Sequence, residues 1–308
     1  MKNKFFTYER ARYLSLLGVC VLAVVSLVIT LFCSKESSPY SWKRVTSTLF
    51  GINYHSDKDY VAFLDVGQGD SILISSNGYH ALVDFGNGLD YGSGLIETLD
   101  GYGVDELDCI IATHYDSDHI GGGTAVFNSF KVLNAVIPEL GNDDSDAALE
   151  FRNALSKSQA AVQIAIPGTV INVGEIQLTV IGYYRDMEED NDRSLVIMAE
   201  IDGIKFLLTG DVGEATEERL FLDGVMLDCD VLKAAHHGSR DGTTTELIQS
   251  TSPAYAVISV GASNAYGHPH DEVISRLYSA GVKVLRTDIS GDIIFVVENK
   301  TLKVDTER

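Results

Sequence analysis

Cysteine, proline and basic residues are all scarce in this chain. Four cysteines in 308 residues, none at metal-type spacing, argue against a cysteine-ligated metal module. Cys20 and Cys33 lie in or beside an apolar N-terminal run. Cys109 and Cys229 open apolar segments that read as core strands, so these two are expected to be buried thiols. Five prolines, with no low-complexity tract and no short-period repeat, remove the disordered and fibrous classes. Basic residues number 23 against 44 acidic ones, a net charge of -21. The first 44 residues hold seven of the basic and two of the acidic side chains, which leaves 16 against 42 and a net of -26 beyond them. A body this acidic repels polyanions at long range, which argues against non-specific duplex binding. It leaves room for a phosphate substrate, because bound metal cations would supply a local positive charge that the formal count omits.

One long hydrophobic run is present. From Leu14 to Cys33 there are twenty uncharged residues, with Ser15, Ser26 and Thr30 as the polar interruptions. A helix of that length spans a hydrocarbon core of about 30 Å. Lys2, Lys4, Arg10 and Arg12 precede it, so the positive-inside rule puts residues 1–13 in the cytoplasm and the remainder outside. A cleaved signal peptide is the competing reading. The run exceeds the usual signal h-region, no small-x-small site follows it cleanly, and Phe32 is too bulky for a lipoprotein site at Cys33. An uncleaved signal-anchor over 14–33 is therefore preferred. A Ser- and Tyr-rich linker over 34–57 and a folded domain over 58–308 follow.

From residue 60 onward, short β-branched runs alternate with amphipathic stretches. The pattern predicts strands at 60–66, 71–75, 80–84, 108–113, 176–181, 195–201, 204–209, 231–235, 255–260, 282–286 and 292–297. Helices are predicted at 146–158, 213–222, 243–250 and 271–280. Strand-rich halves with helices between them imply an α/β body of four layers, αββα.

The segment Thr113-His114-Tyr115-Asp116-Ser117-Asp118-His119 follows an apolar strand and leads into Ile120-Gly121-Gly122-Gly123. Strand ends are where open α/β folds carry their chemistry, and glycines let backbone approach closely. One such side chain alone would read as a solvated loop group. Two imidazoles and two carboxylates within six positions read as metal ligands.

This HxDxDH pattern is a variant of the HxHxDH signature of metallo-β-lactamase-fold hydrolases, with Asp116 replacing the second His. Upstream stands Phe63-Leu64-Asp65-Val66-Gly67-Gln68-Gly69-Asp70, and downstream Leu232-Lys233-Ala234-Ala235-His236-His237-Gly238-Ser239. Tyr266-Gly267-His268-Pro269-His270 closes the set. Together they resemble the C-terminal hydrolase domain of the ComEC family of DNA-uptake proteins, over residues 60–297. Members of that family carry many membrane spans that form a channel. This chain has one candidate span, so the expectation extends to the hydrolase part alone.

The resemblance implies roles residue by residue. Asp84 matches the carboxylate that buttresses the metal loop, and Asp211 the one that bridges two metals. His236 or His237 matches the last ligand, with His236 preferred. The His that usually completes the first site is missing from Asp190-Asn191-Asp192-Arg193-Ser194, so that site should be weaker and richer in oxygen. Two divalent ions, Zn or Mn, are expected: one on His114, Asp116 and Asp211, the other on Asp118, His119, Asp211 and the last His. Such a pair activates water and clamps both oxygens of an in-line displacement. Asp118 and His268 are the expected catalytic groups, His268 as acid or hydrogen-bond donor toward the leaving group. Asn264, Tyr266, Gln68 and Ser239 are candidate substrate contacts. Asp70 reads as structural, and Lys233 and Arg240 as solvated cations ahead of phosphate partners.

The expected function is an extracellular, membrane-anchored phosphodiesterase or nuclease acting on single-stranded nucleic acid or a cell-envelope phosphodiester. An amide or lactone hydrolase on the same fold is the alternative, followed by a non-catalytic surface binding module. The topology has a direct check. Protease added to intact cells should remove the folded domain and leave a short membrane stub, and protection of that domain would contradict the outside orientation.

Overall fold

Alternation at period two sets the architecture. In Asp59–Phe63 (β1), Val61 and Phe63 join one buried cluster while Tyr60 and Ala62 join another. A strand apolar on both faces must be covered on both. The computed structural model describes residues 58–139 and 145–308, which belong to one unit spanning 55–308. Their strands form two sheets.

The first sheet has eight strands. Besides β1 they are Ile72–Ser76 (β2), Tyr79–Val83 (β3), Glu106–Ile111 (β4), Lys131–Ile137 (β5), Ala161–Ile164 (β6), Ile293–Glu298 (β14) and Thr301–Thr306 (β15), in the order β15-β14-β1-β2-β3-β4-β5-β6. The second has seven: Val170–Val173 (β7), Ile176–Gly182 (β8), Val196–Ile201 (β9), Ile204–Leu208 (β10), Val231–Lys233 (β11), Tyr255–Ile258 (β12) and Lys283–Arg286 (β13), in the order β13-β12-β11-β10-β9-β8-β7. Each sheet passes from antiparallel hairpins to parallel pairs. The parallel pairs are β3–β4, β4–β5 and β5–β6 in one, and β10–β11, β11–β12 and β12–β13 in the other.

The sheets pack face to face through Phe63, Ile74 and Phe295 of the first and Leu178, Ile197 and Phe206 of the second. Phe295 meets Phe63, Phe206 and Tyr255 edge to face at centroid distances of 5.9, 5.8 and 5.5 Å. Each such pair adds about 0.5–1.5 kcal/mol beyond the area it buries. On the outer side of the first sheet lie Gly88–Gly101 (α1), Ser117–Ile120 (α2), Gly123–Ser129 (α3) and Asp146–Lys157 (α4). On the outer side of the second lie Glu214–Leu222 (α5), Thr245–Thr251 (α6) and Asp271–Ser279 (α7), with Thr287–Ser290 (α8) following β13. The result is the αββα sandwich that the alternating halves predict.

Several elements escape the sequence pattern. Strands β6 and β7 sit at sheet edges: all four residues of β6 are exposed, and β7 fully buries Val173 alone, so neither shows a clear alternation. Strand β15 is another edge, with polar Thr301, Lys303 and Asp305 in alternation. Helix α1 contains several glycines, which lower helix propensity and disguise it as loop. The predicted strand 231–235 stops at Lys233 because the His pair turns the chain at 235–238. Cys109 and Cys229 are buried free thiols, each pushed up to about 12 by burial. Among the described residues no helix is long and apolar enough to cross a membrane. The 14–33 segment lies outside them, as do Cys20, Cys33, the 1–13 tail and the 34–57 linker.

Candidate metal centre

Every proposed ligand leaves the carboxyl end of a strand. His114, Asp116, Asp118 and His119 follow β4, Asp84 follows β3, Asp211 follows β10, and His236 and His237 follow β11. Parallel neighbours open their C-terminal ends toward the same side, so the sheets bring these loops to one edge of the sandwich. The loop between β1 and β2 reaches in as well. Gly69, at φ 130°, lies so close to Asp118 that an added Cβ would stand 2.1 Å from its carbonyl oxygen, and Asp70 N donates to that same oxygen at 3.2 Å.

Asp84 is the anchor of the metal loop. It is 1% exposed and adopts a left-handed φ of 57°. Its carboxylate accepts from Thr113 N at 2.8 Å and Thr113 Oγ1 at 2.7 Å, and lies 2.7 Å from His119 Nδ1. That last contact leaves Nε2 of His119 facing the opposite way. Ser259 O does the same for His237, 3.0 Å from its Nδ1.

The freed atoms converge. Oδ2 of Asp211 lies 3.2 Å from His119 Nε2 and 3.1 Å from His237 Nε2. Asp118 Oδ2 lies 3.3 Å from His237 Nε2, and the two Nε2 atoms are 3.3 Å apart. Two imidazole nitrogens and two carboxylate oxygens so arranged form a donor set for a divalent transition metal. Asp70 joins the buried group of Asp70, His119, Asp211 and His237, whose ligand-type atoms all lie within 4.8 Å of one another. It approaches from behind, however, 3.5 Å from His237 Nδ1 and 4.0 Å from His119 Nδ1. Lys233 Nζ holds its Oδ2 at 2.5 Å. Asp118 is therefore the better fourth donor and Asp70 a second layer.

A second group lies beside the first, the His114 ring 4.1 Å from that of His119. His114 is 3% exposed, its Nδ1 lies 3.1 Å from Thr113 Oγ1, and its buried Nε2 has no hydrogen-bond partner. Asp116 Oδ2 is 3.8 Å from that Nε2, and His236 Nε2 is 3.9 Å from Asp211 Oδ2. Asp211 Oδ1 is also buried without a hydrogen bond. Orphaned buried donor-set atoms cost about 1–3 kcal/mol each unless something binds them, so the residues fit a resident cation.

Several expectations change on this geometry. The preference for His236 in the deep group gives way to His237, which is 1% exposed and makes the closer contacts. Lys233 is a fully buried cation, 3.0 Å from Gly210 O, and is not solvated. Asp70 is the partner that keeps it there. Ser239 is 2% exposed and donates to Asp241 Oδ2 at 3.2 Å, closing its own turn instead of facing substrate. Asn264 uses its whole amide to brace the loop: it donates to Gly261 O and His268 O and accepts from Tyr266 N and His268 N. Gln68 accepts from Gly261 N at 3.4 Å, which ties two rim loops together. His268 and Tyr266 do face the opening. The His268 ring lies 5.5 Å from that of His236 and 6.5 Å from that of His237, and Tyr266, 65% exposed, stacks on it at 5.6 Å. Arg193 folds back onto Asp190 and the carbonyls of Met187 and Glu188.

Two supporting residues went unread in the sequence. Asp192 accepts from Gly213 N at 2.8 Å and Thr216 N at 3.3 Å, and so fixes the chain just after Asp211. Buried Glu217 accepts from Thr243 N and Thr244 N and steadies the chain after the His pair. Glu217 sits in the polar run Thr216-Glu217-Glu218-Arg219, so no sequence signal set it apart.

Charge completes the description. Burial alone would raise Asp211, but His119, His237 and Lys233 hold it well below the carboxylate range. Burial would likewise lower His119 and His237, yet Asp211 raises both well above the ordinary imidazole value. Asp116, with burial dominant, rises to about 6, while burial and the charge on His119 lower His114 to about 3. His119 and His237 thus hold protons more tightly than a free imidazole does, on the lone pairs that a metal would take, so metal binding must compete with protons. Calorimetric titration of metal-stripped protein with Zn²⁺ at pH 7, in buffers of different ionisation enthalpy, should show net proton release and tighter apparent binding as pH rises. Heats independent of the buffer would contradict this.

The comparisons with known proteins agree with the geometry. Residues 64–262 match the family model of the metallo-beta-lactamase superfamily. The chain is 32% identical over 263 residues to ComE operon protein 3 of Bacillus subtilis (strain 168), covering 80% of this chain and 34% of that protein. It is 32% identical over 240 residues to competence protein ComA of Neisseria gonorrhoeae, covering 76% and 32%. The chain thus spans about a third of the length of the curated relatives it matches. Among solved structures, the metallo-beta-lactamase fold protein YhfI from Bacillus subtilis superposes with a TM-score of 0.51 at 12% identity, over 80% of this chain and 100% of that one. That likeness speaks for the fold alone. With the αββα sandwich, the strand-end metal loop and the family match in agreement, the chain belongs to the metallo-beta-lactamase superfamily and is similar in sequence to competence proteins of the ComEC kind.

Proposed function

We propose that the protein is a metal-dependent phosphodiesterase that cleaves single-stranded nucleic acid, anchored through its 14–33 segment with the folded domain outside the cell. The observation that carries this is the carboxylate-rich donor set around Asp211, with Asp116 where the signature has His and no His at 190–194. Oxygen ligands favour harder ions such as Mn²⁺, which suit phosphate oxygens. The competence proteins among its relatives point toward a nucleic-acid substrate.

His119, His237, Asp118 and Asp211 would hold one ion, and His114, Asp116 and Asp211 would contribute to a second. When bound, the ions would activate water and neutralise charge developing on the phosphate. The chain's own groups do the positioning. Asp84 and Ser259 O fix His119 and His237 through their Nδ1 atoms, so neither ring can swing away. Asp118, with its side chain 21% exposed, is the deep carboxylate that solvent reaches, and it can orient the attacking water by accepting a hydrogen bond from it. Burial, then the neighbouring His236 and His237, lower His268 to about 4. Its ring is neutral at pH 7 and donates an N–H to the phosphate or leaving oxygen. Tyr266 offers an exposed ring at the same rim.

The net of -26 beyond residue 44 disfavours an extended duplex groove, which needs several phosphate contacts from Lys or Arg. Lys233 and Arg193 are engaged internally, which leaves the rim poor in free cations. Purified Mn²⁺- or Zn²⁺-loaded protein should therefore hydrolyse small phosphodiesters and single strands faster than duplex DNA, with a shallow salt dependence. His268→Ala should lower turnover by roughly 10²–10⁴-fold, the usual contribution of a positioned proton donor, with metal content unchanged. Rapid duplex cleavage with a steep salt slope would overturn the substrate. Turnover of a β-lactam without phosphodiester hydrolysis would overturn the reaction class.

A further inference from the structure

Two consecutive histidines in one metal loop raise the question of what the second one does. His236 and His237 adopt φ values of 49° and 53°. Left-handed backbone at a residue with a Cβ costs about 1–2 kcal/mol, and such strain persists where the surroundings enforce it, commonly at functional sites. Here it turns the two rings apart, with planes at 71° and centroids 6.1 Å apart. The backbone is pinned in that pose. His236 N donates to Gly210 O, and Ser239 N donates to His236 O. Both Nε2 atoms consequently face the same oxygen, Asp211 Oδ2, at 3.1 Å from His237 and 3.9 Å from His236.

The environments of the two rings differ. His237 belongs with Asp118 and His119 in the deep group. His236 lies toward the opening, its side chain 28% exposed, and its Nε2 is 3.3 Å from Asn191 Nδ2. Asn191 belongs to the short turn at 190–194, where the family signature has a His that this chain lacks. The ring of His236 therefore lies against that turn. An independent feature points there too. His114 Nε2 is buried, has no partner, and lies on the Asp116 side of the centre.

We propose that the His pair is divided between the two ions: His237 serves the deep one, and His236 replaces the missing His of the other, completing a set of His114, Asp116, Asp211 and His236. The proposal rests on the two-ion reading of the site, but not on the reaction assigned to it. Strain at 236–237 is then the means by which one loop brings two separate Nε2 atoms to Asp211 Oδ2.

Metal stoichiometry and spectra test this without reference to catalysis. Metal-stripped full-length protein in detergent is titrated with Co²⁺, and bound metal and the visible absorption are followed. Wild type should bind two ions. His236→Gly, which keeps the left-handed backbone accessible and removes the ring, should bind one ion normally and the other at least tenfold more weakly, with the lost absorption belonging to that site. Asn191→Ala should retain two. His237→Gln, checked by circular dichroism for retained fold, should weaken the opposite ion and leave a different residual spectrum. Unchanged binding of two ions by His236→Gly would overturn the proposal. So would loss of one ion in Asn191→Ala with none lost in His236→Gly, which would make the Asn191 carboxamide the ligand. A wild-type stoichiometry of one would remove the two-ion reading and the proposal together, whereas absence of phosphodiester hydrolysis with this binding pattern intact would remove only the reaction.

Discussion

Buried negative charge is the constraint around which this molecule is arranged. Asp70, Asp84 and Asp211 are each 3% exposed or less, and Asp118 joins them at the edge. A carboxylate taken out of water is costly unless it is paired and hydrogen-bonded. The fixed cation that reaches them is Lys233, 2.5 Å from Asp70 and 3.5 Å from Asp211. It balances one charge well and a second in part. His119 and His237 can balance more only by holding protons that a metal would displace. The centre is thus built with an electrostatic deficit that divalent cations are suited to fill.

The sandwich exists to hold that deficit together. Neither sheet alone carries a full donor set: the β3 and β4 ends supply Asp84, His114, Asp118 and His119, and the β10 and β11 ends supply Asp211, His236 and His237. The aromatic contacts of Phe295 with Phe206 and Tyr255 lock the two sheets face to face, and Leu195 N donates to Thr113 O beside the site. Bridges of this kind make the spacing across Asp211 a property of the core. Loops that bear on the site are in turn braced by groups of their own, Asp192 for the 211–216 turn, Glu217 for the 243–244 turn and Asn264 for the 261–268 loop.

Much of this was legible in the sequence because the chemistry is dense and local. HxDxDH directly after an apolar strand marks the metal loop, and Asp84 is recognisable at the end of its own strand. Central strands such as β9 and β10 announce themselves by buried apolar runs. What stayed hidden depends on distant partners or on backbone handedness. No pattern distinguishes His236 from His237, because two left-handed residues decide where each ring points. Lys233 looks like a surface cation until Asp70, far upstream, is brought against it. Strands β6 and β7 have too little buried surface to leave a periodic trace.

Equilibrium unfolding of the protein with and without divalent metal tests the central claim most directly. If the carboxylate cluster is built around bound cations, Mn²⁺ or Zn²⁺ should stabilise the folded domain by an amount that grows with concentration, about 2.7 kcal/mol per site at a hundredfold excess over Kd, and chelator should reverse it. Unfolding at the same denaturant concentration with metal, without metal and with chelator would contradict the account.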